Sequence, residues 1–388
     1  MKPHLVFYCQ HSLGMGHLIR SLALCDAMTP SFDVTLLNGG RWPERFERPR
    51  NMQIVDLSPI GMGEDASIHS LDGLAVDDAM AFRRAAIEAS VRNRRADAVI
   101  IELYPFGRKK FRAEIERLID LSSGAIIACS VRDILVNNRH DQQRHDDRAA
   151  AALDERFDCV IVHTDPDFAR LEESFRPSRP PATPILYSGF VAPKNDAPPA
   201  ETRRDVVVSA GGGIVGRELF DVAIASAPAI RAATGHDMMI VAGPFLPGED
   251  LAAVMNAAQA AGVSVIRDTP NLYAMLLGAA VSISQCGYNS ALDLLRSGAP
   301  AIVVPFHRER ETEQIDRARR LSARGLVRLI EPGALSPGKL AAETVRLAGS
   351  PPRLSSRRLK MEGGEQTRRI LVGLIEQRAG AAGRAAAS

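Results

Sequence analysis

Short runs of aliphatic residues alternate with longer stretches of helical periodicity along this chain, and the alternation starts over once. LVFYC (5–9), DVTLL (33–37), AVII (98–101), AIIAC (125–129) and CVIVH (159–163) are short, apolar and bounded by polar residues. That is how parallel strands covered on both faces read. Apolar-periodic stretches at 17–29, 78–95 and 109–122 lie between them. The series then restarts with DVVVSA (205–210), MMIVA (238–242), VSVI (263–266), AVSIS (280–284) and AIVVP (301–305). These alternate with helical patterns near 216–233, 249–261, 271–278, 290–297 and 311–323. Repeated βαβ units predict parallel sheets flanked by helices, and 388 residues are too many for one ordinary core. The expected fold class is therefore α/β, with two Rossmann-like domains.

The boundaries follow from composition. A first domain is expected over 1–189 and a second over 205–350. The Pro- and charge-rich stretch 190–204 reads as a linker. Residues 351–378 carry mixed charge at helical spacing and predict a C-terminal helical segment, and the alanine- and glycine-rich 379–388 reads as a disordered tail. The segment 57–75 lacks clear periodicity and is expected to be a mobile loop. In such folds ligands sit outside the C-terminal strand ends, so a cleft between two facing domains is the expected site.

Composition excludes several classes. Lys+Arg total 48 and Asp+Glu 46, for a net charge of +2, without the basic excess of a dedicated nucleic-acid binder. The first apolar run breaks at Gln10 and His11, unlike a signal peptide, and no run approaches a membrane span. The five cysteines are odd in number and form no CxxC pair, which suits a reduced cytoplasm. No His/Cys/Asp cluster has metal-ligand spacing, so neither a metal nor another cofactor is expected.

Two glycine-rich turns mark the second half. In SQCGYNSALDLLRSGAPAIVVP, Gly287 follows a strand, Asn289 and Ser290 are candidate N-caps, and Asp293 falls where the first helical turn is expected. Unpaired N–H groups and a partial positive charge at such a helix start suit a diphosphate. Ser290-x-x-Asp293 also reads as a plain capping box. Gly211, Gly212 and Gly213 close the first strand of this half. They make either a phosphate-admitting loop or only a tight turn. Arg217 lies close enough in sequence to add charge there.

The run Gly287-Tyr288-Asn289-Ser290, Asp293, Gly298, Pro300, Pro305, Glu313-Gln314 resembles the donor-binding motif of GT-B glycosyltransferases. It is similar both to the plant-type UDP-glycosyltransferases and to the lipid II-forming N-acetylglucosaminyltransferases. The resemblance implies that Asp293 holds the ribose hydroxyls, Asn289 and Ser290 the phosphates, and Glu313 and Gln314 the sugar hydroxyls. It matches Gly211–213 to the family's glycine loop. It places base recognition on backbone groups at 267–272 and sends the C-terminal helix back to the first domain. The plant pattern has a phosphate-binding His where Gln285 stands.

In the first half, Gly14, Gly16 and His17 occupy the turn after the first strand. A helix N-terminus disfavours the imidazolium, which would leave His17 neutral and able to accept a proton near neutral pH; a packing or capping histidine reads the same way. GMGHLI resembles the loop of plant-type glycosyltransferases that carries the general base. Gly-x-Gly-His-x-x-Arg, ending at Arg20, also resembles a sugar-nucleotide hydrolase of related fold. The resemblance implies a carboxylate steadying His17. Glu102, at a strand end, is the first candidate and Asp133 the second, with His11 a competing base.

A nicotinamide dehydrogenase is disfavoured, because Gly14-x-Gly16-x-x-Ile19 lacks the third glycine and Asn38 stands where an acid should bind ribose. The resemblance implies a metal-independent inverting glycosyltransferase with a UDP-sugar donor. The acceptor would be a small molecule, a saccharide or a lipid-linked compound. The enzyme would be cytoplasmic, with peripheral contact at the inner membrane face as an option. A sugar-nucleotide hydrolase or epimerase, or a non-catalytic sugar-nucleotide binder, is the alternative.

Overall fold

The computed structural model describes residues 1–11, 15–43, 46–63, 67–194, 205–269, 271–307, 312–350 and 359–387. The chain divides into two units, Met1–Pro193 with Lys360–Ser388, and Lys194–Leu359.

The first unit contains β1 (His4–Cys9), α1 (Gly16–Met28), β2 (Asp33–Asn38), β3 (Gln53–Asp56), β4 (Ile60–Met62), β5 (Ile68–Ser70), α2 (Val76–Arg92), β6 (Ala98–Glu102), α3 (Arg112–Leu121), β7 (Ile126–Arg132), α4 (Gln142–Arg156), β8 (Cys159–His163) and β9 (Ile185–Tyr187). Seven of these strands form one sheet in the order β3-β2-β1-β6-β7-β8-β9, and every pairing in it is parallel. Strand order reverses between β1 and β6. The second unit contains β10 (Asp205–Ser209), α5 (Arg217–Thr234), β11 (Asp237–Val241), α6 (Gly248–Ala261), β12 (Ser264–Ile266), α7 (Leu272–Leu277), β13 (Ala279–Ser284), α8 (Tyr288–Ser297), β14 (Ala301–Val303), α9 (Glu313–Ala323), β15 (Arg328–Leu329) and α10 (Pro337–Ala348). Its parallel sheet runs β12-β11-β10-β13-β14-β15 and reverses between β10 and β13. The central strands are buried along almost their whole length, which is why they read as unbroken apolar runs. Each unit is thus a Rossmann-like layered sheet of the kind the alternation predicts. No helix among the described residues is long and apolar enough to cross a membrane.

Four expectations change. Residues 57–75 hold the antiparallel pair β4 and β5, whose three-residue strands are too short to show a period; residues 64–66 of that stretch lie outside the described residues. The linker cannot begin at 190, because Phe190 and Val191 are buried in the first unit and Phe190 stacks edge-on against Phe168 at 5.3 Å. The rest of the expected linker, 195–204, lies outside the described residues. The C-terminal helix α11 (Gly363–Ala387) continues through most of the expected disordered tail; alanine, the best helix former, supplies much of that stretch. Polar α4 adds a helix that periodicity does not reveal, because its buried face is only Asp146, Ala149, Ala150 and Leu153, with a single large apolar side chain.

The expected return of the C-terminus to the first unit is present, and specific contacts hold it. The Lys360 N–H donates to Asp165 Oδ2 at 2.9 Å, and the Phe190 N–H donates to the Lys360 carbonyl at 2.7 Å. Leu371 is buried with Leu18, Leu24 and Met28 of α1. Arg378 donates to the Ala125 carbonyl at 2.6 Å and pairs with Asp158.

On the opposite face of this sheet lies a fully buried ion pair, Arg83 of α2 with Glu114 of α3, at 2.6 Å. The rest of the guanidinium donates to the carbonyls of Gly39 and Ser58 and to Gln10 Oε1, at 3.0, 2.8 and 2.7 Å. Tyr8 donates to the same carboxylate at 2.5 Å. The network ties two helices to the ends of β1 and β2. Replacing Arg83 with Met would leave Glu114 charged, buried and unpaired, at a cost of about 3–5 kcal/mol. Urea denaturation of Arg83→Met should show that loss; a change within experimental error would mean water or another donor takes over.

Candidate functional site

In the first unit the strand reversal falls between β1 and β6, the place where open α/β sheets bind ligands. The turn after β1 delivers His17 in the first turn of α1, and β6 ends at Glu102. His17 Nδ1 lies 2.6 Å from Glu102 Oε1. Since the carboxylate can only accept, Nδ1 carries the proton and Nε2 keeps its lone pair. Arg20 Nη2 donates to the same oxygen at 2.5 Å, and Arg108 Nη2 to Oε2 at 2.8 Å. Glu102 is completely buried, while the His17 side chain is 19% exposed.

The electrostatics follow from those neighbours. Burial alone would raise the Glu102 carboxyl, but His17, Arg108 and Arg20 together hold it well below the usual range. Burial is also the largest influence on His17, with Arg108 and Arg20 acting in the same direction. They outweigh Glu102 and lower the imidazole to about 4. His17 is thus neutral at pH 7, as expected, although enclosure dominates rather than the helix terminus.

The other first-half candidates separate. His11 is buried, with Nε2 3.0 Å from Asn38 Oδ1, so it serves the β1–β2 strand ends. Asp133 accepts from the Ile134 N–H at 2.9 Å, while Glu102 is the carboxylate bonded to His17. Gly16 opens α1, and Gly14 lies outside the described residues. Behind Glu102 sits a buried chain that no sequence motif marks. Ser130, its register partner on β7, is 2.8 Å from His163 Nε2, and His163 Nδ1 is 2.8 Å from Ser188 Oγ. Burial lowers His163 to about 3. Arg108 is likewise hidden from sequence reasoning; its only signal is the basic run Arg108-Lys109-Lys110.

In the second unit the reversal between β10 and β13 brings the two glycine turns together. Gly211, Gly212 and Gly213 follow β10. A Cβ added at Gly213, which has φ +90°, would lie 2.3 Å from the Ala242 carbonyl oxygen, so the loop needs glycine there. A Cβ at Gly211 would stand 3.7 Å from Ser290 Oγ, so the loop abuts the start of α8.

Several details of this motif differ from expectation. α8 begins at Tyr288 with Gly287 as N-cap and no side-chain cap. Asn289 and Ser290 therefore lie inside the first turn, and the capping-box reading falls. Asp293 is one turn further along, beyond the first turn. Its carboxylate is half-buried, and desolvation raises it to about 6 despite nearby Arg296. Gln314 Oε1 accepts from the N–H groups of Cys286 and Phe306 at 3.0 and 3.3 Å, so that oxygen ties loops together and is occupied. Gln285 Nε2 donates to the Val215 carbonyl at 2.8 Å, bracing the glycine loop where the plant pattern has a histidine. Arg217 is engaged with Asp221 and Asp250 at 2.8 and 2.9 Å and does not supply free charge. Glu313 opens α9. Asn271, in the stretch ahead of α7, caps that helix by accepting from the Ala274 N–H at 3.0 Å; Pro270 lies outside the described residues. Among the described residues no three His, Cys, Asp or Glu side chains gather as a metal site.

Comparisons with known proteins agree with this architecture. Residues 248–370 match the glycosyltransferase family 28 C-terminal domain. No curated protein matches the chain by sequence. Among solved structures, Arabidopsis thaliana UGT89C1 complexed with quercetin is 16% identical with a TM-score of 0.62, over 97% of this chain and 100% of that one. CalG4, the calicheamicin glycosyltransferase, is 17% identical with a TM-score of 0.57, over 100% and 98%. Acinetobacter baumannii MurG is 12% identical with a TM-score of 0.57, over 96% and 100%. The chain has the GT-B glycosyltransferase fold, and the family 28 match falls in its second half.

Because folded His17 holds its proton only below about 4, the unfolded chain binds more protons between roughly pH 6.5 and 4. The His17 contribution to stability should therefore fall as pH drops through that window. NMR should show the His17 ring titrating far below an ordinary histidine, and His17→Gln should flatten its share of the acid loss. An ordinary titration near pH 6.5 would contradict the enclosure described.

Proposed function

We propose that this glycosyltransferase is an inverting, metal-independent enzyme that moves a sugar from a UDP-sugar to an acceptor activated by His17. The observation that carries the reading is the 2.6 Å contact between His17 Nδ1 and buried Glu102, which leaves Nε2 as the proton acceptor. His17 Nε2 takes the proton of the acceptor hydroxyl as the oxygen attacks the anomeric carbon. The C1–O bond to the nucleoside diphosphate breaks, and the imidazolium formed is stabilised by Glu102. In the second unit the Gly211–213 loop and the first-turn N–H groups of α8 would meet the diphosphate. Asp293, partly desolvated, would accept hydrogen bonds from the ribose diol, and Glu313, with the remaining amide of Gln314, would face the sugar. Leaving-group charge would be met by these N–H groups, without a metal ion.

Sugar-nucleotide hydrolysis is the second reading, favoured by Gly16-His17-x-x-Arg20. It differs in needing only water, so UDP release without an acceptor at the full rate would select it. Replacing His17 with Ala should abolish transfer while leaving UDP affinity intact, and parallel loss of both would remove the base assignment. Asp293→Ala should weaken UDP binding by about 1–3 kcal/mol, the range for a lost hydrogen bond to a charged group. Because diol donation favours the carboxylate, calorimetric UDP affinity should fall as pH drops through about 6. Asp293→Asn should reduce that dependence to the part set by the terminal phosphate of UDP, which titrates in the same range. A pH-independent wild-type affinity would sink the ribose role.

A further inference from the structure

Arg108 is built into the site more deliberately than a charge partner for Glu102 requires. The chain leaves β6, turns through Leu103 with φ +66°, and returns at Arg108 with φ +63°. Left-handed backbone is uncommon for either residue type. The Gly107 N–H closes the turn on the Leu103 carbonyl at 2.8 Å, so Arg108 is held facing back to the strand end. Its side chain is 11% exposed, and it shares Glu102 with His17 from the opposite carboxylate oxygen.

Only one of its guanidinium nitrogens has a partner among the described residues. Nη2 donates to Glu102, and nothing among them accepts from the enclosed Nε. Glu102 is also its only ion-pair partner there, and that carboxylate already receives Arg20. A guanidinium with unfilled donors beside a charge-saturated carboxylate is poised for another anion. Lys109 and Lys110 follow directly, both exposed, and neither has an ion pair among the described residues.

We propose that Arg108, backed by Lys109 and Lys110, is an acceptor-binding residue that takes an anionic group, a carboxylate or a phosphate, carried by the acceptor near the hydroxyl that His17 deprotonates. This rests on the reading of His17 as the base. It makes the acceptor an anionic hydroxyl compound, and it gives the anion a second effect. Negative charge at Arg108 offsets the influence that depresses His17, so a correctly bound acceptor strengthens its own base.

The test is an NMR titration of the full chain with inorganic phosphate and, separately, acetate, following the His17 ring signals. Saturable movement is expected with one or both, the stronger ligand naming the group, together with an upward shift of the His17 titration. Arg108→Gln should weaken binding roughly 10–100-fold, the equivalent of one charge-assisted hydrogen bond. Arg108→Lys, which keeps the charge, should retain most of the affinity, and UDP affinity in both variants reports whether the fold is intact. Signals unmoved by either anion, or moved equally in wild type and Arg108→Gln, would overturn the proposal. Absent UDP binding would instead overturn the donor reading, and the anion titration would still report on Arg108 directly.

Discussion

Glu102 is a carboxylate with no solvent exposure at the end of a central strand, and its burial is tolerable only because His17, Arg20 and Arg108 converge on its two oxygens. A buried charge of this kind must be paired or it neutralises. The pairing sets most of what surrounds it. It selects the His17 tautomer, it holds α1 to the end of β6 through Arg20, and it anchors the turn that returns at Arg108. The same arrangement leaves His17 neutral and holds the Arg108 guanidinium on the second carboxylate oxygen. Structural necessity and chemical capacity are here the same set of bonds.

A second buried ion pair supports that arrangement from the other side of the sheet. Arg83 and Glu114 satisfy each other while gathering the Gly39 and Ser58 carbonyls, Gln10 and Tyr8. The loops after β1 and β2 are thereby fixed by side chains from helices distant in sequence. In the second unit polar side chains do comparable work. Gln285 holds Val215, and Gln314 holds Cys286 and Phe306, so residues that look like ligand contacts in the sequence also shape the loops. The raised carboxyl of Asp293 is the contrasting case, a group whose desolvation outweighs the compensation from Arg296.

Much of this architecture is legible in the amino-acid sequence. Buried parallel strands carry unbroken aliphatic runs, so β1, β6, β10 and β13 can be placed within a residue or two, and with them the turns holding His17 and Gly211–213. That a carboxylate should steady His17 is what the glycosyltransferase resemblance implies, with Glu102 and Asp133 both offered by strand ends; the fold puts Glu102 on the imidazole. What misleads is local chemistry with two uses. Ser290-x-x-Asp293 looks like a cap, but the helix starts at Tyr288. Arg217 looks like a phosphate ligand, but Asp221 and Asp250 claim it. Short β4 and β5 and α4, with Leu153 as the one large apolar residue on its buried face, carry too little pattern to register.

The sequence alone determined the α/β class, the two-fold repetition of βαβ units and the glycine turns at the strand reversals. These depend on period, length and backbone freedom, which are local properties. The tertiary structure decided which charges meet. That Arg108 returns to Glu102, that Arg20 reaches the Glu102 oxygen His17 also contacts, and that Arg83 spends every donor inside the core depend on separations of 6, 82 and 31 residues brought together by turns and packing. No periodicity encodes such convergence, because the energy of a buried charge depends on every neighbour that the finished fold supplies.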